Sequence, residues 1–170
     1  MFYYIESNDV IINDLRNSEK INNLEVLKLD WNKITKIEAN TFQSFKQLQI
    51  IDLSSNKISS IDHNALCALD NLEELNLEQN DLTKLEEGTF QHLKKLKKLF
   101  LAWNQISCID QNAFMGLENL EELYLNLNKF TKIEANAFHH LKQCKKLNLP
   151  KNEINFMENN CFSDLLNLDE

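Results

Sequence analysis

Leucine returns every 24 residues along this chain: Leu24, Leu48, Leu72, Leu96, Leu120 and Leu168 share one phase, with Cys144 filling the same column. Asn32, Asn56, Asn80, Asn104, Asn128 and Asn152 keep the same step, and so do Phe42, Leu66, Phe90, Phe114, Phe138 and Phe162. The unit reads LxxLxLxxNxIxxIxxxxFxxLxx, with no insertion or deletion between Leu24 and Asn167. Such a period excludes most globular topologies. One unit cannot bury its apolar face alone, so neighbouring units must stack and share a core.

Each part of the unit has a physical cause. The centre of LxxLxLxxN alternates, which is the period of a strand with one buried face. In the third unit Leu75 and Leu77 point inward while Asn76 and Glu78 point outward. The Asn column is then expected to turn the chain and to bond the backbone of neighbouring coils as a continuous ladder. Leu82, Leu85, Phe90 and Leu93 close the core from the opposite wall. That wall is expected to be short helices or 3₁₀ turns. Asn40, Asn64, Gly88, Asn112, Asn136 and Asn160 stand just before the Phe/Leu column, a place suited to an N-cap or a left-handed turn. Two residues earlier comes an acid in every unit, from Glu38 to Glu158, read here as a solvated edge. The chain has only 2 glycines and 1 proline, so asparagine must supply the punctuation.

The expected architecture is an α/β solenoid with a curved parallel sheet on its concave face. Six repeats fill 24–167. Residues 1–23 are read as a degenerate or truncated N-terminal repeat, with Tyr3, Ile5, Asn8 and Val10 in phase and Asn13 breaking the pattern until Ile21. Residues 168–170 open a truncated seventh repeat. Both ends look cut from a longer array, and no terminal cap is visible.

Charge narrows the function. With 18 basic and 26 acidic residues the net charge is −8, and Arg16 is the one arginine, which argues against nucleic acid as partner. No apolar run approaches a membrane span, and Met1 to Lys20 lacks the pattern of a secretory signal. Cys67, Cys108, Cys144 and Cys161 form no CxxC; pairing stays open by count, with Cys144 read as a buried apolar side chain. Catalysis has no motif. His63, His92, His139 and His140 lie in the outer segments, His139 and His140 have no ligand-spaced partner, and His63 with Cys67 is an incidental pair. Gly88 and Gly116 are isolated, so no phosphate loop exists. No metal and no cofactor is expected.

LEELNLEQNDLTKLEEGTFQHLKK (72–95) and LKKLFLAWNQISCIDQNAFMGLEN (96–119) resemble the 24-residue leucine-rich repeat of animal extracellular proteins, such as Toll-like receptors and Slit-type guidance proteins. The resemblance spans Leu24 to Asn167 and implies a protein-binding module that presents its concave face. It departs from that family in lacking cysteine-rich flanks and any N-x-[ST] sequon, and in placing an acid after Ile37, Ile61, Leu85, Ile109, Ile133 and Met157 where proline is common. Two readings follow: a fragment of a ligand-binding cell-surface or secreted receptor, or an intracellular scaffold in the cytoplasm.

The outward columns locate a partner site. The first is Lys28, Asp52, Asn76, Phe100, Tyr124 and Asn148; the second Asp30, Ser54, Glu78, Ala102, Asn126 and Pro150; the third Trp31, Ser55, Gln79, Trp103, Leu127 and Lys151. Phe100, Trp103, Tyr124 and Leu127 fall side by side in the fourth and fifth units, where aromatics on a solvated face suit a binding hot spot. The competing reading folds Trp103 and Leu127 over the adjacent turn. Trp31, Asp30, Asp52 and Glu78 complete the expected partner-binding set, and the acids favour a protein partner with a basic patch. Along the sheet, Glu73 and Glu74, Lys97 and Lys98, Glu121 and Glu122, and Lys145 and Lys146 alternate in sign. Each exposed pair adds roughly 0–1 kcal/mol.

Overall fold

A computed structural model describes the strand Phe2–Tyr4 and residues 23–169. Ile5, Asn8, Val10, Asn13 and Ile21, which carry the reading of the N-terminal repeat, lie outside the described residues, as does Glu170. Seven parallel strands form one sheet: β1 Phe2–Tyr4, β2 Val26–Lys28, β4 Ile50–Asp52, β6 Glu74–Asn76, β8 Lys98–Phe100, β10 Glu122–Tyr124 and β12 Lys146–Asn148. Every neighbour is in register with the 24-residue step, from Tyr3 opposite Leu27 to Tyr124 opposite Asn148. A slip of one residue would turn each inward leucine to solvent, which is why the register is fixed.

We number the coils 1 to 6, from 24–47 to 144–167. Their interior is a stack of identical positions. Leu27, Ile51, Leu75, Leu99 and Leu123 are fully buried, and so are Leu29, Leu53, Leu77, Leu101 and Leu125. From the far wall Phe42, Phe90, Phe114 and Phe138 reach the same core, with Phe114, Phe138 and Phe162 stacked at 5.8 and 5.7 Å. Cys144 is fully buried in the leucine column, and desolvation pushes its thiol up to about 11. All four cysteines are free thiols.

Each ladder asparagine from the second coil onward bonds backward to the preceding coil. Asn104 Nδ2 donates to the carbonyls of Leu77 (2.9 Å) and Leu101 (3.1 Å), while its Oδ1 accepts from the N–H of Leu82 (3.1 Å). Asn56, Asn80, Asn128 and Asn152 repeat the pattern on Leu29, Leu53, Leu101 and Leu125. Asn32 donates to Leu29 and Asp30 in its own coil. These side chains are the natural partners for carbonyls that a strand loses where it turns away.

The turn itself sits one residue earlier than expected. Trp31, Ser55, Gln79, Trp103, Leu127 and Lys151 all have φ between 53° and 60°. The asparagines bond; the residues before them turn.

Of the short helices or 3₁₀ turns expected on the outer wall, the helices do not form among the described residues. The wall is a run of tight turns closed by bonds such as Gln43 N–H to Asn40 (3.1 Å), Phe45 N–H to Phe42 (3.0 Å) and Leu48 N–H to Phe45 (3.3 Å). A segment this short, obliged to send Phe42 and Phe45 inward at three-residue spacing, never reaches a second helical turn. The entry turn depends on the acid. After Glu38, Glu86, Glu134 and Glu158, the residue two on (Asn40, Gly88, Asn136, Asn160) is left-handed, at φ 60° to 76°. After Asp62 and Asp110 it is not; the shorter Asp62 carboxylate caps the N–H of Asn64 at 2.9 Å. That is the division between type II and type I turns, with aspartate favoured at the first position of type I.

Beyond the main sheet, short strands join in twos: β3 Lys36–Ile37 with β5 Ser60–Ile61, β7 Lys84–Leu85 with β9 Cys108–Ile109, and β11 Lys132–Ile133 with β13 Phe156–Met157. At the last coil Phe156, Met157 and Leu166 stay exposed.

Candidate functional site

The concave sheet brings Phe100 and Tyr124 together because the register places them opposite one another on β8 and β10. Their rings stack at 4.8 Å with an 11° tilt. The Tyr124 hydroxyl donates to Glu122 Oε2 at 2.6 Å, and Lys98 Nζ holds Glu122 Oε1 at 3.0 Å. On the other side Lys146 Nζ lies 6.0 Å from the Tyr124 ring centre, within cation–π range. The hydroxyl of Tyr124, then Lys98, keeps the Glu122 carboxyl below its ordinary range, and Glu122 in turn raises Lys98. The aromatic pair is therefore pre-oriented, which limits the entropy lost when such a surface is engaged.

Trp103 and Leu127 flank this pair on the same two coils. Trp103 is 54% exposed and Leu127 half-buried. Ala102 departs from its outward column and is buried to 1% exposure. Asn126 Oδ1, on the same strand face as Tyr124, is buried with no hydrogen-bond partner among the described residues. Trp31 is 76% exposed but stands three coils away from Trp103, outside the aromatic group.

The acids lie toward the N-terminal coils. Asp52 Oδ1 accepts from the N–H and hydroxyl of Ser54 at 3.0 and 2.7 Å. Asn76 Oδ1 caps the N–H of Glu78 at 3.0 Å. Burial, then repulsion from Asp52, raises the Glu78 carboxyl above its ordinary range. Asp30 is half-buried at the first coil. The ladder asparagines lie behind this face and are inaccessible: Asn56, Asn80, Asn104 and Asn128 are each under a tenth exposed.

The charge ladder beside the site is made of close pairs, Lys97 to Glu73 and Lys145 to Glu121 at 2.7 Å. Sequence reasoning missed the roles of Glu122 and Lys98 in fixing Tyr124. The two-residue spacing of Glu122 and Tyr124 on one strand face was the available signal. On the outer wall the rings of His139 and His140 lie 3.8 Å apart, tilted by 43°, with His139 Nδ1 2.6 Å from the Asn136 carbonyl. Among the described residues no group of three or more His, Cys, Asp or Glu is placed to hold a metal ion. No helix among them is long and apolar enough to cross a membrane.

A family model described as leucine rich repeat matches residues 22–82, 70–130 and 118–170. No curated protein sequence matches the chain. Among solved structures, the TLR13–ssRNA13 complex superposes with a TM-score of 0.81 at 35% identity over 85% of this chain. The Toll–Spatzle complex of Drosophila, described as a hub in development and innate immunity, gives 0.74 at 26% identity over 80%. This chain spans 20% of the length of each of those two.

Proposed function

Because the chain belongs to the leucine-rich-repeat family, we propose that it is a protein-binding module whose concave face carries the partner site, centred on Phe100 and Tyr124. The observation that carries this reading is the half-buried aromatic stack on the sheet face, tethered by Glu122 and Lys98, with exposed Trp103 on the same coil as Phe100. Rigid aromatics at the centre of a solvated face are where interfaces concentrate their binding energy. Glu78, Asp52 and Asp30 lie one, two and three coils from Phe100 on the N-terminal side, so the partner is a protein with a basic patch that extends along these coils. The module works by binding and not by catalysis. Its likeness to TLR13 and Toll supports a segment of a cell-surface or secreted receptor, with an intracellular scaffold as the alternative.

Because the TLR13 structure is a complex with single-stranded RNA, RNA is the second candidate ligand. The net charge of −8 and the acids on the face oppose it. The test compares the unmodified chain, Lys28→Ala and Phe100→Ala/Tyr124→Ala for chemical crosslinking to protein partners, read by quantitative mass spectrometry. A labelled single-stranded RNA oligonucleotide is tested in parallel. A partner retained by the first two chains and reduced at least about tenfold by the double variant supports the reading. Equal recovery by all three removes the aromatic site. RNA retention that needs both rings replaces the protein partner.

A further inference from the structure

The six coils are not joined alike. Between coils 1 and 2, Ser59 N–H bonds Thr35 and Asp62 N–H bonds Ile37, at 3.0 and 2.9 Å. Ser107 to Thr83 and Asp110 to Leu85 repeat this between coils 3 and 4, and Asn155 to Thr131 and Glu158 to Ile133 between coils 5 and 6. On the outer wall the same three junctions each have a side-chain clasp. Asn71, Asn119 and Asn167 donate to the carbonyls of Lys46, Lys94 and Lys142 at 2.9, 2.8 and 2.7 Å. Between coils 3 and 4 the backbones also approach closely, since a Cβ on Gly116 would lie 2.4 Å from the Gln91 carbonyl oxygen.

The junctions between coils 2 and 3 and between coils 4 and 5 lack all of these bonds among the described residues. The backbone bonds that remain on that side are Asp81 N–H to Ile58 (3.0 Å) and Lys129 N–H to Ile106 (2.9 Å), beside the ladder bonds of Asn80 and Asn128 and the side-chain contacts of Lys95 with Asn71 (2.7 Å) and of His140 with Asn112 (3.4 Å). Small cavities of about 70 and 30 Å³ open there, one between Ser60 and Lys84 and one between Cys108 and Lys132.

The alternation is written in the chain. Thr35-Lys36-Ile37-Glu38 returns as Thr83-Lys84-Leu85-Glu86 and Thr131-Lys132-Ile133-Glu134, whereas Ser59-Ser60-Ile61-Asp62 returns as Ser107-Cys108-Ile109-Asp110. The clasp asparagines occur only in the even coils and the lysines they grip only in the odd ones. The true repeat on this side is two coils long. Turn type is not its cause, because coil 6 carries Glu158 and a left-handed Asn160 yet still pairs with coil 5.

We infer that the solenoid is jointed into three rigid two-coil modules, and that the joint between coils 4 and 5 is held shut on its concave side by the Lys98–Glu122–Tyr124–Phe100 group. Lys98 and Phe100 belong to one module, Glu122 and Tyr124 to the next, and their contacts cross the same junction as the cavity between Cys108 and Lys132. No counterpart of this group spans coils 2 and 3 among the described residues, where Asp52 and Asn76 face each other and Ser55 bonds Gln79 at 2.5 Å. A partner that grips both rings bridges a joint, so its binding and the curvature of the array are linked. The joints themselves do not depend on what that partner is.

Four backbone amides make equivalent bonds and report on it: Lys57 and Gln105 within modules, Asp81 and Lys129 between them, all at 2.9 to 3.0 Å. Amide hydrogen exchange of the full chain, resolved by NMR and corrected for intrinsic rates, is expected to run about tenfold or more faster at Asp81 and Lys129 than at Lys57 and Gln105. Equal protection at all four overturns the joints. Phe100→Ala, and separately Glu122→Gln, should speed exchange at Lys129 severalfold further while leaving Asp81 unchanged. If both variants leave Lys129 as it was, the concave closure is wrong although the joints stand.

Discussion

Coils 2 and 3 and coils 4 and 5 present the same strand positions and use them differently. In the first region Asp52 and Asn76 turn their oxygens back onto the N–H groups of Ser54 and Glu78, two residues on. In the second, Phe100 and Tyr124 hold the equivalent places, give Ala102 and Asn126 no such cap, and stack on each other instead. Behind both regions the leucines are equally buried. The interior is thus a constant, and the outward column chooses between securing the local backbone and offering a surface to something else.

The most damaging way to probe that comparison is to cut the shared interior. Leu75→Ala and Leu123→Ala should each lose about 3 kcal/mol in urea unfolding, because both sites are fully buried in like surroundings. A difference above roughly 1 kcal/mol between them would mean the two regions do not share one interior. Next in size is the cap itself. Asp52→Ala should lose about 1 kcal/mol with its two bonds to Ser54. Phe100→Asn restores a cap and forfeits a ring pair of ~1 kcal/mol, so its thermal midpoint should hardly move. A loss of ~2 kcal/mol or more there would show that the rings, and not the caps, stabilise coil 4.

The smallest effects are electrostatic and opposite in sign. Glu78 is raised in the folded state, so its ionised form is penalised above the ordinary carboxylate range and the penalty fades as the acid protonates. Glu78→Gln should raise the midpoint at pH 7 and do nothing below ~pH 4. Glu122 is lowered, so its contribution is present at pH 7 and lost as pH falls through its folded value. Glu122→Gln should therefore lower the midpoint at pH 7, with the gap closing in acid. Melting curves at the two pH values that move both variants the same way would remove the electrostatic contrast.

Much of this fold was legible because its period is strict. The 24-residue step placed Ile51 beside Leu27 and Tyr124 beside Phe100, since in-register stacking follows once slips are excluded by the core. The outer wall was legible only as apolar columns. Whether Phe42 and Phe45 sit on a helix or on tight turns depends on how much chain the coil can spare, which a hydrophobic pattern does not state. The Glu and Asp alternation at positions 38, 62, 86 and 110 was visible, but its effect on turn type emerges only with the backbone angles. The stack's tether was hidden for a different reason: Glu122 looked like one more rung of a charge ladder, and only geometry assigns it to Tyr124 as well as Lys98.

Trp31, Trp103 and Leu127 occupy left-handed positions where bulky side chains are disfavoured by about 1 kcal/mol or more. Asparagine would sit there with less strain at every coil. A laboratory selection for heat resistance alone should therefore strip out the tryptophans first, and any variant library that keeps them is responding to a demand other than stability.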